Sequence, residues 1–120
     1  LYYQTDRFFE TANTLRPLWE EGKLKKNIDI FMLADSLFFI EKYDESKALF
    51  QKLLETDKEN QQIMYRLARI EKSLGNTEGW LKILTQIVEK DKDSLWKDAA
   101  KKELEFEKFN KNFETTRSKF

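Results

Sequence analysis

Arg66 and Arg69 stand three residues apart, a spacing that puts both guanidiniums on one face of a helix and lets them meet a single acidic segment. The other candidate constellations are weaker. Glu20-Glu21, Glu103, Glu105 and Glu107 lie among lysines on surface-like stretches, without the apolar surroundings that acid–base catalysis needs, and read as a solvated face. Asp91-Lys92-Asp93 begins like a calcium loop, yet Trp96 occupies the place of the obligatory Gly and no Glu closes the loop. Gly75 and Gly79 lack the Lys-Ser/Thr continuation of a phosphate loop and read as turn residues. The chain has no Cys and no His, so it can form no disulfide, thiol nucleophile, imidazole base or Cys/His zinc site. The expectation is a protein that is not an enzyme and uses no cofactor or metal.

Charge and hydropathy narrow the partners. The 22 Lys+Arg balance 22 Asp+Glu, leaving no cationic surplus to displace phosphate counterions, so a nucleic-acid partner is not expected. The most apolar stretch, Ile28 to Ile40, is shorter than the roughly 20 residues that span a bilayer and is interrupted by Asp29, Asp35 and Ser36. It reads as a buried helix, without membrane insertion. The chain opens on Leu1 rather than Met and is read as a piece of a longer protein. The absence of Cys fits a reducing cytosol and a periplasm equally well.

The elements that position these residues recur. Glu55-Thr56-Asp57-Lys58-Glu59-Asn60 returns as Glu89-Lys90-Asp91-Lys92-Asp93-Ser94, 34 residues on. The same step sets Leu33-Ala34 on Leu67-Ala68 and aligns Phe9 with Tyr43 and Thr77, Leu15 with Leu49 and Ile83, and Trp19 with Leu53 and Ile87. Helical spacing of apolar residues predicts helices over Asp29 to Ile40, Asp44 to Glu55, Gln61 to Ser73 and Glu78 to Glu89. Lys42-Tyr43-Asp44 and Gly75-Asn76-Thr77 are short enough to join antiparallel pairs, and the Asp57–Asn60 and Asp91–Ser94 stretches supply caps. An earlier helix is expected over Glu10 to Trp19, with a kink or a late start at Pro17. A last helix is expected from Ser94 to about Phe109, with Trp96, Ala99, Ala100, Leu104 and Phe106 available for packing. Phe109, Phe113 and Phe120 lie in a charged tail expected to fold back or continue into another element.

A helix pair repeated every 34 residues resembles the tetratricopeptide repeat, whose pattern is W-x2-L-G-x2-Y, then A-x3-F, then P. Ile30-x2-Leu33-Ala34-x2-Leu37 with Tyr43, Ser46 and Phe50 follows it best. The next repeat keeps Met64, Leu67, Ala68 and Leu84, but carries Glu71 where an aromatic is usual and Trp80 where a small residue is usual, with Gly79 expected to supply the close approach instead. Lys58 and Lys92 replace the turn prolines. The resemblance covers roughly residues 1–94. It implies an all-α, right-handed helical-hairpin solenoid of about three repeats. Residues 1–120 form one domain in this reading: a partial first repeat at 1–26, repeats at 27–60 and 61–94, and a capping segment at 95–120.

First helices of such solenoids line a concave surface. The resemblance therefore implies a partner-binding groove made by Phe31, Asp35, Phe38 and Phe39 from one repeat and Tyr65, Arg66, Arg69 and Lys72 from the next. The partner expected is a protein, through a peptide or an amphipathic helix with acidic residues. Some family members hold a chaperone peptide's terminal carboxylate in a Lys/Asn clamp. Here Phe31 and Asp35 stand at the places of the first Lys and Asn, which argues against a co-chaperone role.

Two functions follow: a protein–protein interaction scaffold that binds such a segment in its groove, or a structural segment of a larger assembly that packs mainly against its own chain or sister subunits. The Phe-, Lys- and Ile-rich, His-free composition suggests a low-GC bacterial source. Envelope or flagellar-motor scaffolds of such bacteria carry repeats of this kind, so the compartment expected is the periplasm or cell envelope, with the cytoplasm also compatible.

Overall fold

The computed structural model describes residues 2–90 and 94–118, with side chains described over 7–90 and 94–110. Six helices make up the described residues, which contain no strand: α1 (Tyr2–Glu20), α2 (Asn27–Phe39), α3 (Tyr43–Thr56), α4 (Gln61–Ser73), α5 (Thr77–Val88) and α6 (Leu95–Ser118). They fall into two compact units, residues 1–63 and 64–120, the border lying inside α4.

In the first unit α1 packs on α2 and α2 on α3. Buried on the helices are Ala12, Ile30, Leu33, Ala34, Leu37, Leu49, Phe50 and Leu53, at the spacing of apolar stripes, and Leu24 is buried from the connection between α1 and α2. Ser46, fully buried, donates its hydroxyl to the Ala34 carbonyl at 2.7 Å, so the crossing of α2 and α3 is set by two small residues and one hydrogen bond. Pro17 does not delay α1, which begins at Tyr2; the proline lies in the last turn, where its missing N–H removes a single bond, and its own carbonyl accepts from Glu21 at 3.0 Å.

In the second unit Met64, Leu67, Ala68, Ile70, Trp80, Leu84, Ile87 and Ala100 are buried, and α5 packs on α6. The seven residues matched across the repeats, Leu33, Ala34, Leu49, Phe50, Leu67, Ala68 and Leu84, are all buried.

The 34-residue period is also written in the backbone. The end of α2 has the Lys42 amide bonded to the Leu37 carbonyl at 2.8 Å and that of Glu41 to Phe38 at 3.1 Å; the end of α4 has Asn76 to Glu71 at 2.8 Å and Gly75 to Lys72 at 3.1 Å. Both are Schellman motifs, which require a left-handed residue just past the helix. Glu41 and Gly75 fill that place at φ 67° and 84°. The same motif closes α1, with Gly22 at φ 74°.

Three expectations are corrected. Gly79 lies inside α5 rather than in a turn. Phe106 is 66% exposed and stays out of the buried core, lining instead an open cleft with Lys72 and Trp80. The last helix does not stop near Phe109; it continues unbroken to Ser118, so the backbone through Phe113 extends α6 instead of folding back, while Phe120 lies outside the described residues. No described helix is long and apolar enough to cross a membrane.

Candidate binding surfaces

The eight residues expected to bind a partner fall into two sets, one in each compact unit. In the first unit, α2 carries Phe31, Asp35, Phe38 and Phe39. Phe31 sits edge-on to Phe50, with ring centres 5.5 Å apart, and is half-buried. Phe39 stacks on Phe8 of α1 at 4.5 Å and meets Phe38 edge-on at 5.2 Å; Phe38 also meets Tyr43 at 5.9 Å. These contacts give the rings fixed orientations. Asp35 is half-buried. A cleft of about 380 Å³ opens beside Phe31, with Ile28, Leu53 and Ile63 as apolar wall and Asn27, Asn60 and Gln62 as polar rim. Outward along α2, Ile28, Met32 and Phe39 remain 68%, 48% and 43% exposed at spacings of four and seven residues, the pattern of one helix face.

In the second unit, α4 brings Tyr65, Arg66 and Arg69 against α6. The Tyr65 hydroxyl donates to Glu103 Oε2, and Arg69 Nη1 lies 3.5 Å from Glu103 Oε1. The Trp96 ring lies 5.5 Å from that of Tyr65, with the Arg66 guanidinium 5.8 Å from its centre. Burial, followed by the bond to Glu103, pushes the Tyr65 hydroxyl up to about 12. Thus the acidic group that Arg69 meets is supplied by its own chain. Lys72 is placed apart from this cluster, its ammonium 4.6 Å from the centre of the Trp80 ring.

Sequence reasoning passed over Glu103 and Trp96 as members of this cluster, since a glutamate among lysines looks solvated. The Glu103 side chain is in fact only 19% exposed. The signal was present in a shifted register: Trp96, Ala99, Ala100 and Glu103 repeat the spacing of Met64, Leu67, Ala68 and Glu71 at a step of 32 rather than 34. Ala68 and Ala100 are both fully buried.

The exchange of large and small residues in the second unit has a geometric answer. Trp80, 4% exposed, stands where the preceding hairpin has Ser46, and Glu71 where it has Leu37. The Glu71 carboxylate accepts from Asn76 Nδ2 at 2.5 Å, while Asn76 Oδ1 caps α5 through the Gly79 amide at 3.1 Å. A Cβ on Gly79 would come within 2.9 Å of Asn76 Cγ and 3.0 Å of Glu71 Oε2, so Gly79 does supply a close approach, to this cap and carboxylate.

Among the described residues, no group of three or more acidic side chains is placed to hold a metal ion.

Helical hairpins with a 34-residue step, identical turn geometry and small residues at the crossings define an all-α helical-repeat protein. A comparison with protein families matches residues 41–103 to the tetratricopeptide repeat, and the chain belongs to that family. The comparison with curated proteins gave no match, and neither did that with solved structures. Tetratricopeptide repeats generally mediate protein–protein interaction.

Proposed function

We propose that this protein is a non-enzymatic scaffold that holds a peptide or amphipathic helix of a partner protein on the first helices of its repeats, the place of the family's concave groove. The observation that carries this is the α2 face on which Ile28, Met32 and Phe39 stay 68%, 48% and 43% exposed, while Phe31 and Phe38 beside them are fixed by ring contacts. Rigid, part-exposed aromatics at helical spacing suit the apolar anchors of a helix or peptide. In the second unit, considered by itself, Arg66, Arg69 and Lys72 on α4 are cations for acidic residues of a partner, Arg69 exchanging or sharing its contact with Glu103. The bacterial-envelope setting rests on composition alone.

The test is capture of partners by the full-length protein, followed by affinity measurements with the principal one. Phe39→Ala should weaken binding about tenfold, and Arg66→Glu with Arg69→Glu should weaken it and flatten its salt dependence. Glu103→Gln, which neutralises the carboxylate that Arg69 faces, should leave affinity equal or higher. Unchanged affinity and salt dependence in both the Phe39 and the double-arginine variants would overturn the proposal.

A further inference from the structure

The column that aligns Trp19 with Leu53 and Ile87 is uneven in the structure. Leu53 and Ile87 are 4% and 0% exposed, as core positions should be, but Trp19 is only half-buried. The helix ends are also out of step. In the 34-residue register Glu20, the last residue of α1, matches Leu54, yet α3 runs on to Thr56. The chain leaves α1 through the left-handed Gly22, at φ 74°, and a cleft of about 570 Å³ lies among the end of α1, the start of α2 and the last turns of α3. All of it belongs to the first compact unit.

The lining of this cleft is of two kinds. Leu24, Ile30 and Leu53, all buried, and the Trp19 ring give it an apolar wall. Its charged members are Lys25, Lys52 and Glu20, two cations against one carboxylate. Lys25 comes from the connection between α1 and α2 and Lys52 from α3, so the two ammonium groups are carried by different elements. The Lys52 ammonium already stands over the cleft's aromatic wall, 5.1 Å from the centre of the Trp19 ring. An apolar wall of this volume with a few polar groups around it is the ordinary build of a small-molecule site.

We infer that the cleft binds a small amphipathic carboxylate, with its apolar body along Leu24, Ile30, Leu53 and Trp19 and its head between Lys25 and Lys52. The charges select the head. One net positive charge in the lining matches a single negative charge, and a cationic head would compete with Lys52 for the Trp19 ring. The inference does not rest on the α2 face or the α4 cations, and the variants that test those surfaces lie outside this cleft.

The probe is octanoate, with octan-1-ol and octylammonium as the same tail bearing a neutral and a cationic head. Titration of the chain at neutral pH is followed by tryptophan fluorescence and by amide and indole shifts in nitrogen–proton correlation spectra. Octanoate should bind saturably in the millimolar range, the order expected of so few atoms, and move the Trp19 indole and the amides of Leu24, Lys25, Lys52 and Leu53. Trp19→Leu should remove the fluorescence response, since Trp80 and Trp96 belong to the second unit. Lys25→Glu with Lys52→Glu, both exposed side chains, should lose octanoate and gain octylammonium with unchanged helical circular dichroism, a reversal that lost packing alone would not produce. Absence of saturable octanoate shifts, binding of octan-1-ol or octylammonium to the parent as tight as that of octanoate, or a double-lysine variant that keeps its preference for octanoate would each overturn the inference.

Discussion

Glu41 and Gly75 occupy the same left-handed turn position, 34 residues apart, at φ 67° and 84°. The turn is identical but the residues are not, and only glycine takes that backbone without a steric cost of about 1–2 kcal/mol. Glu41→Gly should therefore stabilise the chain by about 0.5–1 kcal/mol, the relief being partly offset by the freedom glycine adds to the unfolded state. Gly75→Ala should destabilise it by about 1 kcal/mol. Urea melts of the two variants should move in opposite directions.

Gly79→Ala tests the close approach in α5. Helix propensity alone favours alanine by about 0.8–1 kcal/mol. The added Cβ would instead crowd the Asn76 side chain, which caps α5 and donates to Glu71, so the expected net effect is a loss of about 1 kcal/mol. In an Asn76→Ala background the same change should become neutral or stabilising. A double-mutant cycle by denaturant melts reads this sign reversal.

Tyr65 should titrate late in an alkaline titration followed at 295 nm. Its hydroxyl is raised to about 12 by burial and by Glu103, against an ordinary value of 10.0. In that window the folded state holds a proton that the unfolded state has released, so this contribution to stability is complete below pH 10 and is lost as pH rises towards 12. Tyr65→Phe should remove the late phase, and Glu103→Gln should bring it to lower pH.

Ala34 and Ala68 have no accessible surface and sit at the matched crossings. Enlarging either to Leu should overpack the helix pair and cost about 1–3 kcal/mol. Ala99→Leu, on the half-buried flank of α6, should cost much less, and thermal melts of the three variants give the ranking.

Much of the fold was legible because its cause is periodic. Leu33-Ala34 and Leu67-Ala68 state the crossings outright, and α4 has the bounds that its apolar spacing predicts. What escaped was set by geometry rather than by residue type. Glu41 gives no local sign of a left-handed turn, since that place is imposed by the hairpin. Gly79 looks like a breaker but is a helical residue whose missing side chain admits a cap. Glu103 resembles its solvated neighbours until the spacing from Trp96 and Ala100 puts it on the packed side of α6. The length of α6 is compatible with its composition, since no Gly or Pro interrupts the stretch after Leu95.

The exchange of Ser46 for Trp80 and of Leu37 for Glu71 bears on how these hairpins could be recombined. Family repeats are commonly treated as modules, each able to stand in another's slot. Here the bulk of Trp80, the absent side chain of Gly79 and the Asn76–Glu71 bond form one interlocked solution, and Ser46 with Ala34 forms another. Moving a single member between hairpins would leave either an unfilled hole or two large groups in one space. A chimera of the two should fold only when each set travels whole, so for this protein the unit of inheritance is the packed set and not the motif letter.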